Sequence, residues 1–386
     1  MWIRFQPRPE PVGVTFAMRC QLIRLHWVRI SMREPFRISN GEVAARDAIL
    51  IEINTDAGVG WGEAAPMPGT FYSNDTPETT WEFVRQRLAP AFLEHPEFDP
   101  SRLSRWLNEF EGESFAKAGL EGAVCDLLAN VASKPLWQIL GGSSGPVESG
   151  AAIGLMPTVA DLSDRVQKFL SEGYRRIKIK IAPGHDVELV RAVRQRFGGI
   201  PLMVDANASY TLDHISVFRE LDRFQLMMIE QPLAREAIAE HAELQRLLRT
   251  PLCLDESADS VAAIEEIIRL RSGRILNIKV QRMGGLFASR RAHDLAQSAG
   301  ISCWMGTMPE PGIASAQGLH LATLSNFTFP TDIEASARWY EDDIISPQIT
   351  LAAQGLIRLP GGPGMGYVVD EEKVAQYRLR LEELRP

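Results

Sequence analysis

Arg176-Ile-Lys178-Ile-Lys180-Ile181, Ile200-Pro-Leu-Met-Val-Asp205, Leu226-Met-Met-Ile-Glu230, Leu252-Cys-Leu-Asp255 and Ile275-Leu-Asn277-Ile-Lys279-Val280 follow one another at near-constant spacing. Asp205, Glu230 and Asp255 each close an apolar run at 25-residue intervals, and Lys180 and Lys279 extend the series by one step at either end. That interval holds a strand, a loop, a helix and a return turn, so the period is one βα unit. Parallel βα units present functional groups at the carboxyl ends of their strands, which puts the three carboxylates on one rim. Three hard oxygen ligands converging there suit Mg²⁺ better than a softer transition metal. The pattern reads as a metal-assisted acid–base enzyme.

Composition narrows the class. A chain of 386 residues, 45% hydrophobic, is long enough for a barrel plus a smaller domain. The formal charge of −8 and the absence of a dense Lys/Arg block argue against a nucleic-acid partner. Cys20, Cys125, Cys253 and Cys303 are scattered without a CxxC, which fits a reduced cytoplasmic setting. No apolar stretch approaches the roughly 18 residues of a membrane span, and the first residues lack an apolar signal core. The expectation is a cytoplasmic protein with a small-molecule partner, neither nucleic acid nor membrane, assembled as a homo-oligomer.

Residues 1–17 are proline-punctuated and read as an N-terminal tail. From Cys20 onward, alternation over 22–30, 48–53 and 59–63 with a Gly-containing turn at 56–58 predicts an antiparallel meander, followed by helices over 76–94 and 101–138. This predicts an α+β domain over 18–145, rejoined by 360–386. The turn residues Gly141-Gly-Ser-Ser-Gly-Pro146 mark a break, after which a barrel is expected over 146–359. Its strands begin with Gly150–Gly154 and include Ile301–Met305 and an eighth near Phe327–Phe329. Helices are expected over 159–172, 186–197, 211–221, 236–248, 260–271 and 286–299.

Lys178 and Lys180 lie two apart on a strand, so both point the same way, inward if the strand belongs to a barrel. A nearby metal and a second ammonium would each push a lysine down toward the range of a base. The bland alternative is a solvent-facing strand with ordinary lysines, and acids serving as helix caps; the shared register argues against it. Asp255-Glu256-Ser257 leaves open which acid is the ligand, the period favouring Asp255. Asn207 and Gln231 carry second polar groups that could orient the ligands, Asn207 being the better placed. His185, His241, His293 and His320 show no metal-binding spacing, which argues against zinc.

At these residues the chain resembles the enolase superfamily, within it the o-succinylbenzoate synthase / N-succinylamino acid racemase family of the muconate-lactonizing subgroup. The resemblance rests on Tyr174-Arg-Arg-Ile-Lys178-Ile-Lys180, Val204-Asp205-Ala-Asn207, Ile229-Glu230-Gln-Pro, Leu254-Asp255-Glu-Ser and Asn277-Ile-Lys279-Val-Gln-Arg-Met-Gly284-Gly285. It implies an α/β fold, a modified TIM barrel (β/α)₇β with an α+β capping domain, and Mg²⁺ (alternatively Mn²⁺) held by Asp205, Glu230 and Asp255. It also implies Lys180 and Lys279 on opposite faces of the substrate, with Lys178 beside them. The loops Pro35–Gly41 and Glu63–Tyr72 resemble those that close over substrate, which brings Phe36 and Tyr72 to the pocket. Asn207, Gly306, Thr307 and Met308 join them as expected substrate contacts. The chain departs from the family pattern over Trp304–Ser315, and Ala152 stands where a serine is usual. The implied chemistry is removal of a proton α to a carboxylate, by a synthase of menaquinone biosynthesis, an N-acylamino acid racemase, or both. Alternatives are a dipeptide epimerase, a muconate cycloisomerase, or a metal-binding barrel without activity.

Overall fold

The computed structural model describes residues 18–38, 41–70 and 72–386. The tail read over residues 1–17, and Ser39, Asn40 and Phe71 of the two closing loops, lie outside the described residues. Strands β1 (Cys20–Ile38), β2 (Gly41–Thr55) and β3 (Gly58–Ala64) form an antiparallel meander, longer than the sequence pattern predicts. Its apolar face, with Leu25, Ile49 and Ile51, is fully buried. Against it lies helix α1 (Ser114–Val131), buried over most of its length. The approach is close because β3 carries glycine at the contact: a Cβ on Gly60 or Gly62 would come within 2.2 and 1.9 Å of the Ala123 and Gly119 carbonyl oxygens.

The long helix expected over 101–138 is instead three, Pro100–Leu107, Ser114–Val131 and Leu136–Leu140. Gly112 and Glu113 adopt left-handed φ of 75° and 49°, which ends regular hydrogen bonding between the first two.

The second half alternates strand and helix. Strands β4 (Ala151–Ile153), β5 (Ile177–Lys180), β6 (Leu202–Asp205), β7 (Ile229–Glu230), β8 (Leu252–Leu254), β9 (Ile275–Ile278) and β10 (Ser302–Met305) make one parallel sheet in sequence order. Between them run α2 (Val159–Ser171), α3 (Val187–Phe197), α4 (Ile215–Leu221), α5 (Ile238–Leu247), α6 (Val261–Leu270) and α7 (Leu286–Ser298), close to the predicted spans. Helix α8 (Gly312–Leu321) follows β10. The expected eighth strand is not a regular one. Segment 327–331 closes the sheet through single bridges, Cys303 to Phe327 and Ser149 to Thr331, because Pro330 can donate no ladder hydrogen bond. Strand β11 (Arg378–Leu384) then returns to pair antiparallel with β1.

Two acids fasten the meander and α1 to the barrel. Glu63 accepts from the Ile313 and Ala314 amides, 3.1 Å each, at the start of α8, and Glu121 accepts from Phe287 N at 3.0 Å at the start of α7. Both satisfy amides that the first turn of a helix leaves unpaired. Cys20, Cys125, Cys253 and Cys303 are free and buried, and among the described residues no helix is long and apolar enough to cross a membrane.

Candidate active site

Alternation on β5 sends Ile177 and Ile179 into the core shared with the surrounding helices, and Lys178 and Lys180 to the barrel interior. Parallel register sets Lys180 beside Asp205 and Asp205 beside Glu230. Lys180 Nζ donates to Asp205 Oδ2 at 2.6 Å and to Asn207 Oδ1 at 2.8 Å. At the other end of the row, Lys279 Nζ donates to Asp255 Oδ2 and to Tyr72 Oη, each at 3.0 Å. Lys178 lies between, 3.3 Å from Glu230 Oε2 and 3.6 Å from Asp205 Oδ2, and also bonded to Asp332. The Nδ2 of Asn277 on β9 donates to Glu230 Oε1 at 2.6 Å, and Arg282 donates to Asp255 Oδ1 at 2.6 Å. All of these acids and lysines are buried.

Second polar groups separate into two kinds. Asn207 bridges the site, since its Nδ2 donates to Glu256 Oε1 at 3.1 Å while its Oδ1 holds Lys180. Gln231 instead ties loops together, accepting from the Asp255 and Ser257 amides. Glu256 is half-buried at the rim beside the buried Asp255 and meets Asn207, so both acids of the ambiguous pair reach the site.

The neighbouring acids set the ionisation of Lys178 and Lys279. Burial works against their charge, but Asp332, Glu230 and Asp205 hold the Lys178 ammonium above the ordinary lysine range, and Asp255 with Tyr72 does the same for Lys279. At Lys178 and Lys279 the carboxylates in direct contact outweigh the burial. The acids diverge: burial and then Asp205 raise Glu230 to about 8, burial and then Asp255 raise Glu256 to about 7, and Asp255 is held low against its burial by Arg282 and Lys279.

Among the described residues no group of three or more Asp, Glu, His or Cys side chains is gathered at ion-binding geometry; each acid of the row is turned to an ammonium or guanidinium. The donor set itself fits a hard divalent cation. It is made of carboxylate oxygens without imidazole, and the mutual repulsion that raises Glu230 is what a cation between the acids would relieve.

A pocket opens above this row, lined by Lys178, Lys180, Lys279 and Asn207 on the barrel side and by Phe36, Met67 and Tyr72 from the other domain. Thr307, Met308, Ala152, Asp332 and Trp339 complete its walls together with Pro309. Gly306, expected at the substrate, lies against Asn277 instead, where a Cβ would come within 2.0 Å of Oδ1. Asp332, Arg282, Met67 and Trp339 were not singled out by the sequence. Asp332 does follow an aromatic run, Phe327-Thr-Phe, but Pro330 and the lack of aliphatic residues hide it from a strand-end pattern.

A parallel barrel bearing acids and lysines along one rim, roofed by an α+β domain, defines a capped-barrel acid–base enzyme. The chain belongs to the enolase superfamily: residues 22–141 match the mandelate racemase / muconate lactonizing enzyme N-terminal domain and residues 161–373 the enolase C-terminal domain-like family. It is 42% identical to an o-succinylbenzoate synthase of Geobacillus stearothermophilus, over 94% of this chain and 96% of the relative. It is 41% identical to an N-succinylamino acid racemase of an Amycolatopsis species, over 90% and 95%. A solved enolase-superfamily structure from Listeria innocua superimposes with a TM-score of 0.92 at 32% identity, covering 95% of this chain and 99% of that one.

Proposed function

We propose that this chain removes the proton α to a substrate carboxylate, acting as an o-succinylbenzoate synthase and as an N-succinylamino acid racemase. The observation that carries the reading is the placement of Lys180 and Lys279 at opposite ends of one carboxylate row, both lining one pocket. A carbon held between them is open to proton transfer from either side. In the synthase reaction Lys180 takes the α-proton of a succinyl-cyclohexadiene carboxylate and passes it to the departing hydroxyl, which leaves as water, while Lys279 remains a cation beside the developing negative charge. In racemisation one lysine removes the proton of an N-acylamino acid and the other returns a proton to the opposite face.

Asp205, Glu230 and Asp255 would hold Mg²⁺, or Mn²⁺ in its place, and the bound ion supplies Lewis-acid stabilisation of the charge that proton loss leaves on the carboxylate. Asn207 orients Lys180 and Asp205, since its Oδ1 accepts from the lysine and its amide donates to Asp205 Oδ1 at 3.0 Å. Tyr72, reaching in from the cap, contacts Lys279 and covers that end of the pocket from water. The setting is the cytoplasm, with menaquinone biosynthesis as the context of the synthase reaction.

The test is a panel of N-acylamino acids incubated with Mg²⁺-supplied protein in D₂O and followed by proton NMR, beside an absorbance assay for succinylbenzoate formation. Loss of the α-proton signal for N-succinylamino acids, together with dehydration of the cyclohexadiene substrate, is the expected result. Protein that does neither refutes the proposal.

A further inference from the structure

Ala152 lies on β4, the first strand of the parallel sheet, whose free edge faces the closing segment. Toward this edge, among the described residues, that segment pairs through its backbone as far as Thr331, which donates to Glu148 O and accepts from Gly150 N, both at 2.8 Å, while the next amide, Asp332 N, turns to Met305 O on the opposite side at 3.0 Å. Two residues further along β4, the Ala152 amide meets a side chain instead: Glu334 Oε1 accepts from it at 2.8 Å. A buried amide left without a partner is destabilising. The Glu334 carboxylate thus continues the ladder where the closing backbone has turned away.

Its other oxygen faces Arg338, with Nε to Oε2 at 3.2 Å in an ion contact without a hydrogen bond; Glu334 is buried and the Arg338 side chain is 9% exposed. The Arg338 guanidinium lies over the Trp339 ring at 4.2 Å and over Phe169 at 5.0 Å. Trp339 in turn meets Phe36 edge to face, centroids 5.1 Å apart at 88°. Ala152, Trp339 and Phe36 all line the pocket that holds Lys180 and Lys279, whereas Glu334 and Arg338 do not. One ion pair therefore ties together three walls contributed by β4, by the short helix Ser336–Trp339 and by the end of β1.

We propose that Glu334 and Arg338 form a positioning pair that fixes this wall and thereby selects the part of the substrate remote from the reacting carbon. The inference rests on the function proposed above, because the reacting carbon is taken to sit between the two lysines. A wall held by a charged pair and stacked rings has one arrangement; released, Trp339 and Phe36 can repack around larger or differently shaped groups.

The experiment measures kcat and KM for hydrogen–deuterium exchange across an N-acyl series (acetyl, propionyl, succinyl) and a side-chain series (Ala, Val, Phe), for wild type, Glu334→Ala, Glu334→Gln and Arg338→Met. KM for the members that fill the pocket should change at least tenfold in Glu334→Ala and Arg338→Met, reordering the series, with kcat within about threefold. Glu334→Gln, which keeps an acceptor for the Ala152 amide, should fall between them and wild type. A merely structural role would lower the active fraction, cutting kcat uniformly at unchanged KM. In parallel, protein labelled with 5-fluorotryptophan, its Trp339 resonance assigned with Trp339→Phe, reports the ring without turnover; the resonance should move in both variants. Should either variant fail to fold, Arg338→Lys, which keeps the charge but not the planar stack, carries the same two readouts. Wild type that exchanges no member of the panel refutes the function proposed above, while the fluorine shift still decides the positioning. An unmoved Trp339 resonance, or variants that keep the KM order of an exchanging wild type, overturns it.

Discussion

Replacing Asp332 by Asn should destabilise the barrel through Arg176 rather than through Lys178. Both cations contact Asp332 in a fully buried setting, Arg176 Nη2 at 2.7 Å from Oδ1. Lys178 keeps Glu230 at 3.3 Å and Asp205 at 3.6 Å after the change. Among the described residues Arg176 keeps the Pro330 carbonyl at 3.1 Å and the face of Trp304 at 5.0 Å, so its charge is left buried without a counter-ion in direct contact. At an effective dielectric near 20 the lost Coulomb attraction at that distance is about 6 kcal/mol, and part of it is offset because the carboxylate itself no longer has to be desolvated. The net expected loss is about 3–5 kcal/mol in urea unfolding followed by circular dichroism. Arg176→Met in the Asp332→Asn background should restore at least about 2 kcal/mol, since it removes the orphaned charge. A loss below about 1 kcal/mol in the single variant, or additive losses in the double, would refute the reasoning.

Exhaustive chelation should abolish activity and Mg²⁺ or Mn²⁺ should restore it, with Mn²⁺ binding visible by electron paramagnetic resonance; undiminished activity after chelation would count against the carboxylate row as a cation site. By the same resonance signal, Glu230→Gln should weaken Mn²⁺ binding more than Glu256→Gln, and equal losses would reassign the ligand. Lys279→Ala should stop racemisation of an N-succinylamino acid but keep deuterium exchange of one enantiomer, and Lys180→Ala should keep only the other and lose the dehydration. The same enantiomer exchanging in both would leave one lysine as an electrostatic group. His320 accepts from Trp137 N at 3.0 Å and donates to the Met365 carbonyl at 2.8 Å, and burial lowers it to about 4. A folded value below the unfolded one means stability present above pH ~6.5 and lost as pH falls toward 4, here about 2–3 kcal/mol by pH 4.5. Buried Glu121 and Asp126, raised to about 7 and 6 chiefly by burial, act in the opposite direction. The assay therefore compares wild type with His320→Gln across pH: the gap in unfolding free energy should narrow on acidification, and a constant gap would sink the assignment.

The sequence by itself determined the order of the parallel strands and which residues end them. A βα unit has a characteristic chain length, and alternation along a strand is a property of the local backbone, so Asp205, Glu230, Asp255, Lys180 and Lys279 could be placed on one rim from spacing alone. The same local logic failed where regularity failed. It ran a helix through Gly112 and Glu113, and it found no strand end at Asp332 behind Pro330. The tertiary structure alone decided which atoms meet. Asp332 reaches Lys178 from 154 residues away and Tyr72 reaches Lys279 from 207, and no periodicity connects such pairs. It also decided how the charges stand, since the direction of a lysine's shift depends on whether carboxylates or other cations lie within hydrogen-bond reach, a matter of packing across elements rather than of neighbours along the chain.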